Sequence, residues 1–238
     1  SKNKPDELSK LIDKYLIPQE IEKKSNAEVS TPYKLRQEML DTIPVEFWSK
    51  KNKVFEPCCG KGGFVIDIYS RFKKHSNLTD KEIIEECIYF ADINPLNIFI
   101  TKLLLDYDNK YKLNYYQGDT LEMDLEKEFK LKGFDAVIGN PPYNSIRNKK
   151  GSTSILYDKF IKFGLCEILN INGYLLYVTP CNWRKCGNKL FKLMTNDNII
   201  HKLVIRNLKD GKKIFNCGTR FDYYLVQKFK NLNHKTII

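Results

Sequence analysis

Four short segments hold most of the side chains in this sequence that could do chemistry. They are Glu56-Pro57-Cys58-Cys59-Gly60-Lys61-Gly62-Gly63-Phe64, Asp92-Ile93-Asn94-Pro95, Gly118-Asp119-Thr120 and Asn140-Pro141-Pro142-Tyr143. Glycines in the first let the backbone pass close to a ligand. That segment lacks the Gly-Lys-Ser/Thr ending of a phosphate-binding loop and has only Gly60-x-Gly62 of a GxGxxG pattern. It offers Glu56 instead; a carboxylate repels phosphate but accepts from an ammonium group. Asp92 is of the type that takes ribose hydroxyls, and Asp119 can accept from an adenine amino group. One acidic residue after a strand is common in α/β chains. One ligand with an amino-acid end, a ribose and an adenine meets all three, so S-adenosylmethionine is the expected cofactor. In the fourth segment Asn140 supplies a carboxamide oxygen and Pro141 a backbone carbonyl. Two such acceptors can draw on the N–H bonds of a planar amine and free its nitrogen lone pair. Pro142 stiffens the loop, and Tyr143 gives an aromatic face for stacking. A plain Asn-Pro-Pro turn is the structural alternative.

These segments can cooperate only if the fold brings them to one edge. The hydrophobic pattern predicts strands at 53–56, 87–91, 113–117, 135–138 and 173–178, alternating with helices over 63–72, from Pro95, over 155–169 and over 189–194. Leu8, Leu11, Ile12, Tyr15 and Leu16 add an amphipathic stretch near the start. Strand–helix alternation implies a mostly parallel sheet with helices on both faces. Ligands of such sheets bind outside the carboxyl ends of the strands, where all four segments fall. The 199–205 and 223–226 stretches read as strands joined by a polar connection without a good helix, so they are expected to pair antiparallel. The fold class expected is α/β, Rossmann-like, with about seven strands and an antiparallel strand at one end.

Composition bounds the reading. Apolar residues make up 42% and charged residues 29% of 238 residues, a globular balance. No apolar run approaches the ~20 residues of a membrane span, and no secretory signal is visible. Seven cysteines in such a chain are expected to be reduced; a cytoplasmic, prokaryotic or viral protein is expected. The net charge of +11 is uneven: residues 1–55 carry +2, 56–139 carry −4 and 140–238 carry +13. A basic block beside a neutral one suits a polyanion docked on one side, and a generally lysine-rich surface is the plain alternative.

Asn140 to Tyr143 resembles the catalytic tetrapeptide of the N6-adenine DNA methyltransferases, where it follows the fourth strand. Glu56 to Phe64 resembles that family's cofactor loop, and Ser30-Thr31-Pro32 its N-terminal element over the methionine part of the cofactor. Leu156 to Phe160, Gly173 to Pro180 and Phe215 to Lys228 resemble its later motifs. The motif order is that of the gamma group of restriction-modification methyltransferases. The resemblance implies catalytic roles for Asn140, Pro141, Pro142 and Tyr143. It implies cofactor contacts for Thr31, Pro32, Glu56, Pro57, Cys58, Gly60, Asp92, Ile93, Asp119, Thr120 and Asn140. Residues 1–50 are expected to form a helical segment with the Thr-Pro element, and 51–238 the methyltransferase catalytic domain. That group carries a target-recognition domain after the last strand. The given sequence has about ten residues beyond Val226, so recognition is expected from short loops or from a partner. The partners the resemblance implies are a homodimer mate, a recognition subunit and a cognate endonuclease.

Double-stranded DNA is the expected partner, with phosphate contacts from Arg147, Lys149 and Lys150. Trp183 and Arg184 suit a flipped base or a phosphate as well as they suit packing. RNA adenine and protein glutamine methyltransferases share the tetrapeptide and are alternatives, as is a non-catalytic subunit. No metal is expected: His75, His201 and His234 are scattered, and Cys58, Cys59, Cys181 and Cys186 form no CxxC pair.

Overall fold

The computed structural model describes residues 4–16, 29–143, 155–185, 187–216 and 218–229. Its centre is a seven-stranded sheet in the order β3-β2-β1-β4-β5-β7-β6. The strands are β1 (Val54–Glu56), β2 (Ile88–Asp92), β3 (Asn114–Gln117), β4 (Phe134–Gly139), β5 (Leu169–Pro180), β6 (Asn198–Arg206) and β7 (Phe221–Lys228). β1 to β5 pair in parallel, and β7 runs antiparallel to both β5 and β6. This is the Rossmann-like class expected, with the reversed strand one place in from the edge.

Alternate residues of the strands enter two cores, as the pleat requires. Val54, Phe90, Ile138, Leu176 and Leu225 pack on one face. Phe55, Tyr89, Val137, Leu175 and Tyr224 pack on the other. Both faces are covered, so the inner strands read as apolar runs. The edge strand β3 instead alternates between exposed and half-buried residues.

The helices α1 (Pro5–Tyr15), α2 (Tyr33–Leu40), α3 (Gly63–His75) and α4 (Pro95–Leu105) contribute Ile12, Leu35, Met39, Phe64 and Ile98 to the first core. The second is covered by α5 (Tyr157–Lys162) and α6 (Lys189–Thr195), through Phe160, Ile161, Leu190 and Met194. The helix expected over 155–169 is split: α5 passes into a π-helical turn, Phe163–Ile168, and β5 begins at Leu169 rather than Gly173.

The connection between β6 and β7 corrects the sequence reading, because it contains a helix, α7 (Leu208–Phe215). Asn207 caps it, accepting from Lys209 N–H at 2.7 Å and Asp210 N–H at 3.2 Å, while the Asp210 carboxylate accepts from Asn207 N–H at 3.0 Å. This reciprocal box satisfies end groups of a helix whose central Gly211 and paired lysines obscure its apolar face. The antiparallel pairing expected for β6 and β7 is present nonetheless.

Candidate active site

Topology gathers the segments. β1, β2, β3 and β4 are parallel neighbours, so the loops after them emerge along one edge. There they line one cavity of about 570 Å³. Its wall includes Glu56, Pro57, Cys58, Gly60, Asp92, Ile93, Asp119, Thr120 and all of Asn140 to Tyr143. Thr31 also lines it, with Ile12, Val29, Ser30 and Arg36 from the N-terminal region. Pro32 is not on the wall; it starts α2, and its carbonyl accepts from Arg36 N–H at 3.0 Å.

The first loop folds tightly against its neighbours. Cys59 N–H donates to the Ala91 carbonyl at 2.9 Å, and Gly62 N–H to the Cys59 carbonyl at 2.9 Å. Gly62 has φ +82°, and a Cβ there would stand 2.9 Å from Thr101 Oγ1, so glycine is required on both counts. Glu56 is 2% exposed, and its Oε2 has no hydrogen-bond partner. Burial pushes its carboxyl well above the usual range, against the nearby Arg36 guanidinium, which favours the charged form. Burial likewise pushes the Cys58 and Cys59 thiols well up, the direction opposite to that of an activated thiolate.

Asp92 is held in place. Its Oδ2 accepts from Gly60 N–H at 2.8 Å, and its Oδ1 from Asn94 N–H at 2.8 Å and Asn97 Nδ2 at 3.2 Å. Burial raises its pKa, and these donors oppose the rise. Asp119 is exposed at the mouth and accepts from Leu121 N–H at 3.0 Å. Thr120 is buried and donates to the Pro57 carbonyl at 2.7 Å, tying the third loop to the first.

In the fourth loop Asn140 donates from Nδ2 to the Val29 carbonyl at 3.2 Å. Its Oδ1 is buried and has no donor. The Tyr143 ring meets Tyr157 edge-on with centroids 6.5 Å apart, and the Tyr143 carbonyl accepts from Leu156 N–H at 3.1 Å.

Arg36 entered no sequence motif. It is 2% exposed, and its Nε donates to Asp67 Oδ2 at 2.5 Å, Nη1 to Asp13 Oδ1 at 2.8 Å and Nη2 to Ser9 Oγ at 2.7 Å. It also donates to the Thr31 carbonyl. Its side-chain partners Asp13, Ser9 and Asp67 lie 23, 27 and 31 residues away, beyond the reach of local pattern. The apolar residues around Arg36 and the lone Asp67 within α3 were the available signal.

The suggested nucleic-acid residues separate. Arg147, Lys149 and Lys150 lie outside the described residues. Trp183 is 1% exposed and packs edge-on to Tyr224 at 5.3 Å, which corrects its expected contact with DNA: the ring belongs to the second core. Arg184 makes a two-pronged pair with the buried Asp222, at 2.7 and 3.2 Å. It borders a second, open cavity of about 520 Å³ with Lys185, Thr219 and Arg220. Among the described residues no group of three or more His, Cys, Asp or Glu is placed to hold a metal ion. No described helix is long and apolar enough to cross a membrane.

Comparisons with known proteins agree with this architecture. The chain is 27% identical over 130 residues to the methylase subunit of the type I restriction enzyme MjaIX of Methanocaldococcus jannaschii, covering 52% of this chain and 20% of that protein. It therefore spans about a fifth of the length of this curated relative. A Listeria monocytogenes protein described as a class I S-adenosylmethionine-dependent methyltransferase superposes with a TM-score of 0.69 at 14% identity, covering 100% of this chain and 71% of that one. A modification subunit assigned to a type I restriction enzyme of Vibrio vulnificus gives 0.67 at 16% identity, covering 96% and 50%. Residues 86–215, more than half of the chain, match the family model described as Eco57I restriction-modification methylase. The chain belongs to the Eco57I restriction-modification methylase family.

Proposed function

We propose that this chain transfers a methyl group from S-adenosylmethionine to the N6 amino group of adenine in DNA, with the base flipped into the pocket of Asn140-Pro141-Pro142-Tyr143. The observation that carries this reading is one cavity lined by both Glu56, Asp92 and Asp119 and the acceptor loop, with Asn140 Oδ1 buried and lacking a donor.

The residues fit the cofactor. Glu56 Oε2 is buried without a partner, and an ammonium group would supply one. Asp92 would hold the ribose, Asp119 and Thr120 would border the adenine, and Ile93 would cover an apolar face. When bound, S-adenosylmethionine supplies an electrophilic methyl group on a sulfonium.

The remaining catalysis falls to the chain itself. The exocyclic nitrogen of adenine is a poor nucleophile because its lone pair is delocalised into the ring. Asn140 Oδ1 and the Pro141 carbonyl accept from its two N–H bonds and favour a pyramidal nitrogen. The Val29 carbonyl, occupying Nδ2, holds the Asn140 carboxamide in the orientation that leaves its oxygen for the substrate. Tyr143 stacks on the base, a contact worth roughly 1–3 kcal/mol. Alignment and polarisation are enough, and no general base is needed.

On the DNA side, Lys185 and Arg220 on the second cavity would meet phosphates, while Arg184 is held by Asp222. Arg147, Lys149 and Lys150 are further phosphate candidates on sequence grounds. The direct test is sequencing of DNA from cells expressing the chain, with detection of N6-methyladenine. Signal with the wild type that disappears with Asn140→Ala supports the reading; equal signal from both overturns it.

A further inference from the structure

Arg36 and Asn140 belong to different elements, and the Val29–Thr31 segment joins them. At one end of this segment the Val29 carbonyl accepts from Asn140 Nδ2 at 3.2 Å. At the other, the Thr31 carbonyl accepts from Arg36 Nη1. Arg36 is itself anchored. Its five N–H groups meet Asp67, Asp13, the Thr31 carbonyl, Ser9 Oγ and the Ser9 carbonyl, the last at 3.4 Å. These partners come from α1, α3 and the segment itself, so one planar fork holds three pieces of chain. Asp13 reinforces it by accepting from Tyr33 N–H. α2 is held at its other side too, where Glu38 accepts from Tyr223 at 2.7 Å and from Arg206.

We propose that Arg36 is a positioning residue for the acceptor-polarising amide. By fixing the Thr31 carbonyl it sets the place of the Val29 carbonyl, and that carbonyl decides which way the Asn140 carboxamide faces. Without the clamp the segment can drift, the amide can rotate, and its nitrogen can replace its oxygen at the substrate. A donor would then face the amino group that needs an acceptor. Because Arg36 also borders the cofactor cavity, cofactor binding and acceptor geometry share one anchor. A lysine keeps the charge but loses the fork, so Arg36→Lys separates geometry from electrostatics.

The kinetic side of this inference rests on the adenine-methylation reading, and the spectroscopic side does not. In the full chain, the Asn140 side-chain amide resonances are followed by 15N NMR, assigned by their loss in Asn140→Ala. Arg36→Lys is expected to move them toward the positions of a solvent-exposed carboxamide while the protein still unfolds cooperatively. Asp13→Asn, a milder change that weakens one arm of the fork, is expected to shift them in the same direction by less. It serves as the second variant if Arg36→Lys does not fold. Unchanged Asn140 resonances in a folded variant overturn the proposal.

Methyl transfer to adenine-containing duplex at saturating cofactor gives the second arm. Arg36→Lys should lower kcat by about 10- to 100-fold. Combined with Asn140→Ala it should add little further loss, because both changes remove the same oriented acceptor. Losses that multiply in the double variant overturn the coupling. No transfer by the wild type, together with the expected NMR shifts, would reject the substrate reading and leave the positioning role standing.

Discussion

A Cβ on Gly63 would stand 2.8 Å from both Cζ and Nη1 of Arg36, so the start of α3 and the buried guanidinium occupy adjoining space that admits no side chain. Arg36 cannot withdraw, because Asp67, Asp13 and Ser9 hold it. Gly63→Ala is therefore expected to destabilise the protein by about 1–3 kcal/mol, the usual cost of overpacking. Chemical denaturation reads this directly. Loss of cofactor affinity should accompany it, since both residues line the cavity.

Glu56 links pH to stability and to ligand. Its folded pKa is raised by burial, so the folded state holds a proton that the unfolded state releases. The stabilisation is complete below the unfolded value and is lost as pH rises through the folded one. Glu56→Gln should flatten that decline and leave the ligand-free protein at least as stable at alkaline pH. It should also weaken S-adenosylmethionine binding, because the ammonium loses its carboxylate. Calorimetry of the wild type in buffers of different ionisation enthalpy should show proton release on binding. An affinity unchanged by Glu56→Gln would mean that the ammonium sits elsewhere.

Asp92 receives three donors from Gly60, Asn94 and Asn97. Its carboxylate is thus oriented before any ligand arrives. Asp92→Ala should weaken cofactor binding by roughly 1.5–3 kcal/mol, the worth of a hydrogen bond to a charged group. Equilibrium titration with S-adenosylmethionine checks this, and a change below threefold would remove Asp92 from the ribose.

For the acceptor loop, Asn140→Ala should cut turnover while leaving cofactor affinity close to wild type. Tyr143→Ala should instead show its loss in capture of the flipped base, whose unstacking costs a few kcal/mol. Fluorescence of 2-aminopurine at the target position distinguishes the two: flipping should persist in the first variant and fade in the second.

Lys185 and Arg220 border the open cavity beyond β5. If they meet phosphates, replacing each by Ala should reduce the salt dependence of DNA binding by about 0.9 log unit per log unit of salt. Arg184→Ala should act differently, because it strands the buried Asp222 without its partner. Its main effect should be a loss of stability, measured by urea unfolding, together with a rise in the Asp222 pKa beyond the one burial already imposes. An unchanged salt slope for Lys185→Ala and Arg220→Ala would move the phosphate path elsewhere.

Local pattern was enough for the strands, for the loops after them and for the Asn140 to Tyr143 motif. Backbone preference and side-chain alternation act over a few residues, and parallel strands place their following loops on one edge by topology alone. Hence the sequence alone groups Glu56, Asp92, Asp119 and Asn140 at one edge of the sheet. α7 escaped because it spans only eight residues, with Gly211, Lys212 and Lys213 inside it, so the apolar face that packs Ile214 and Phe215 on the first core is too short to read as a stripe. Only tertiary structure decided that Trp183 is core, that Arg184 is committed to Asp222, and that Pro32 starts a helix off the cavity wall. The Arg36 clamp could not be assembled from local pattern either, because its carboxylate partners lie 23 and 31 residues away in sequence. A charged side chain reads as surface in any linear pattern, and burial with three or more fixed partners is a property of packing, which only the folded chain possesses.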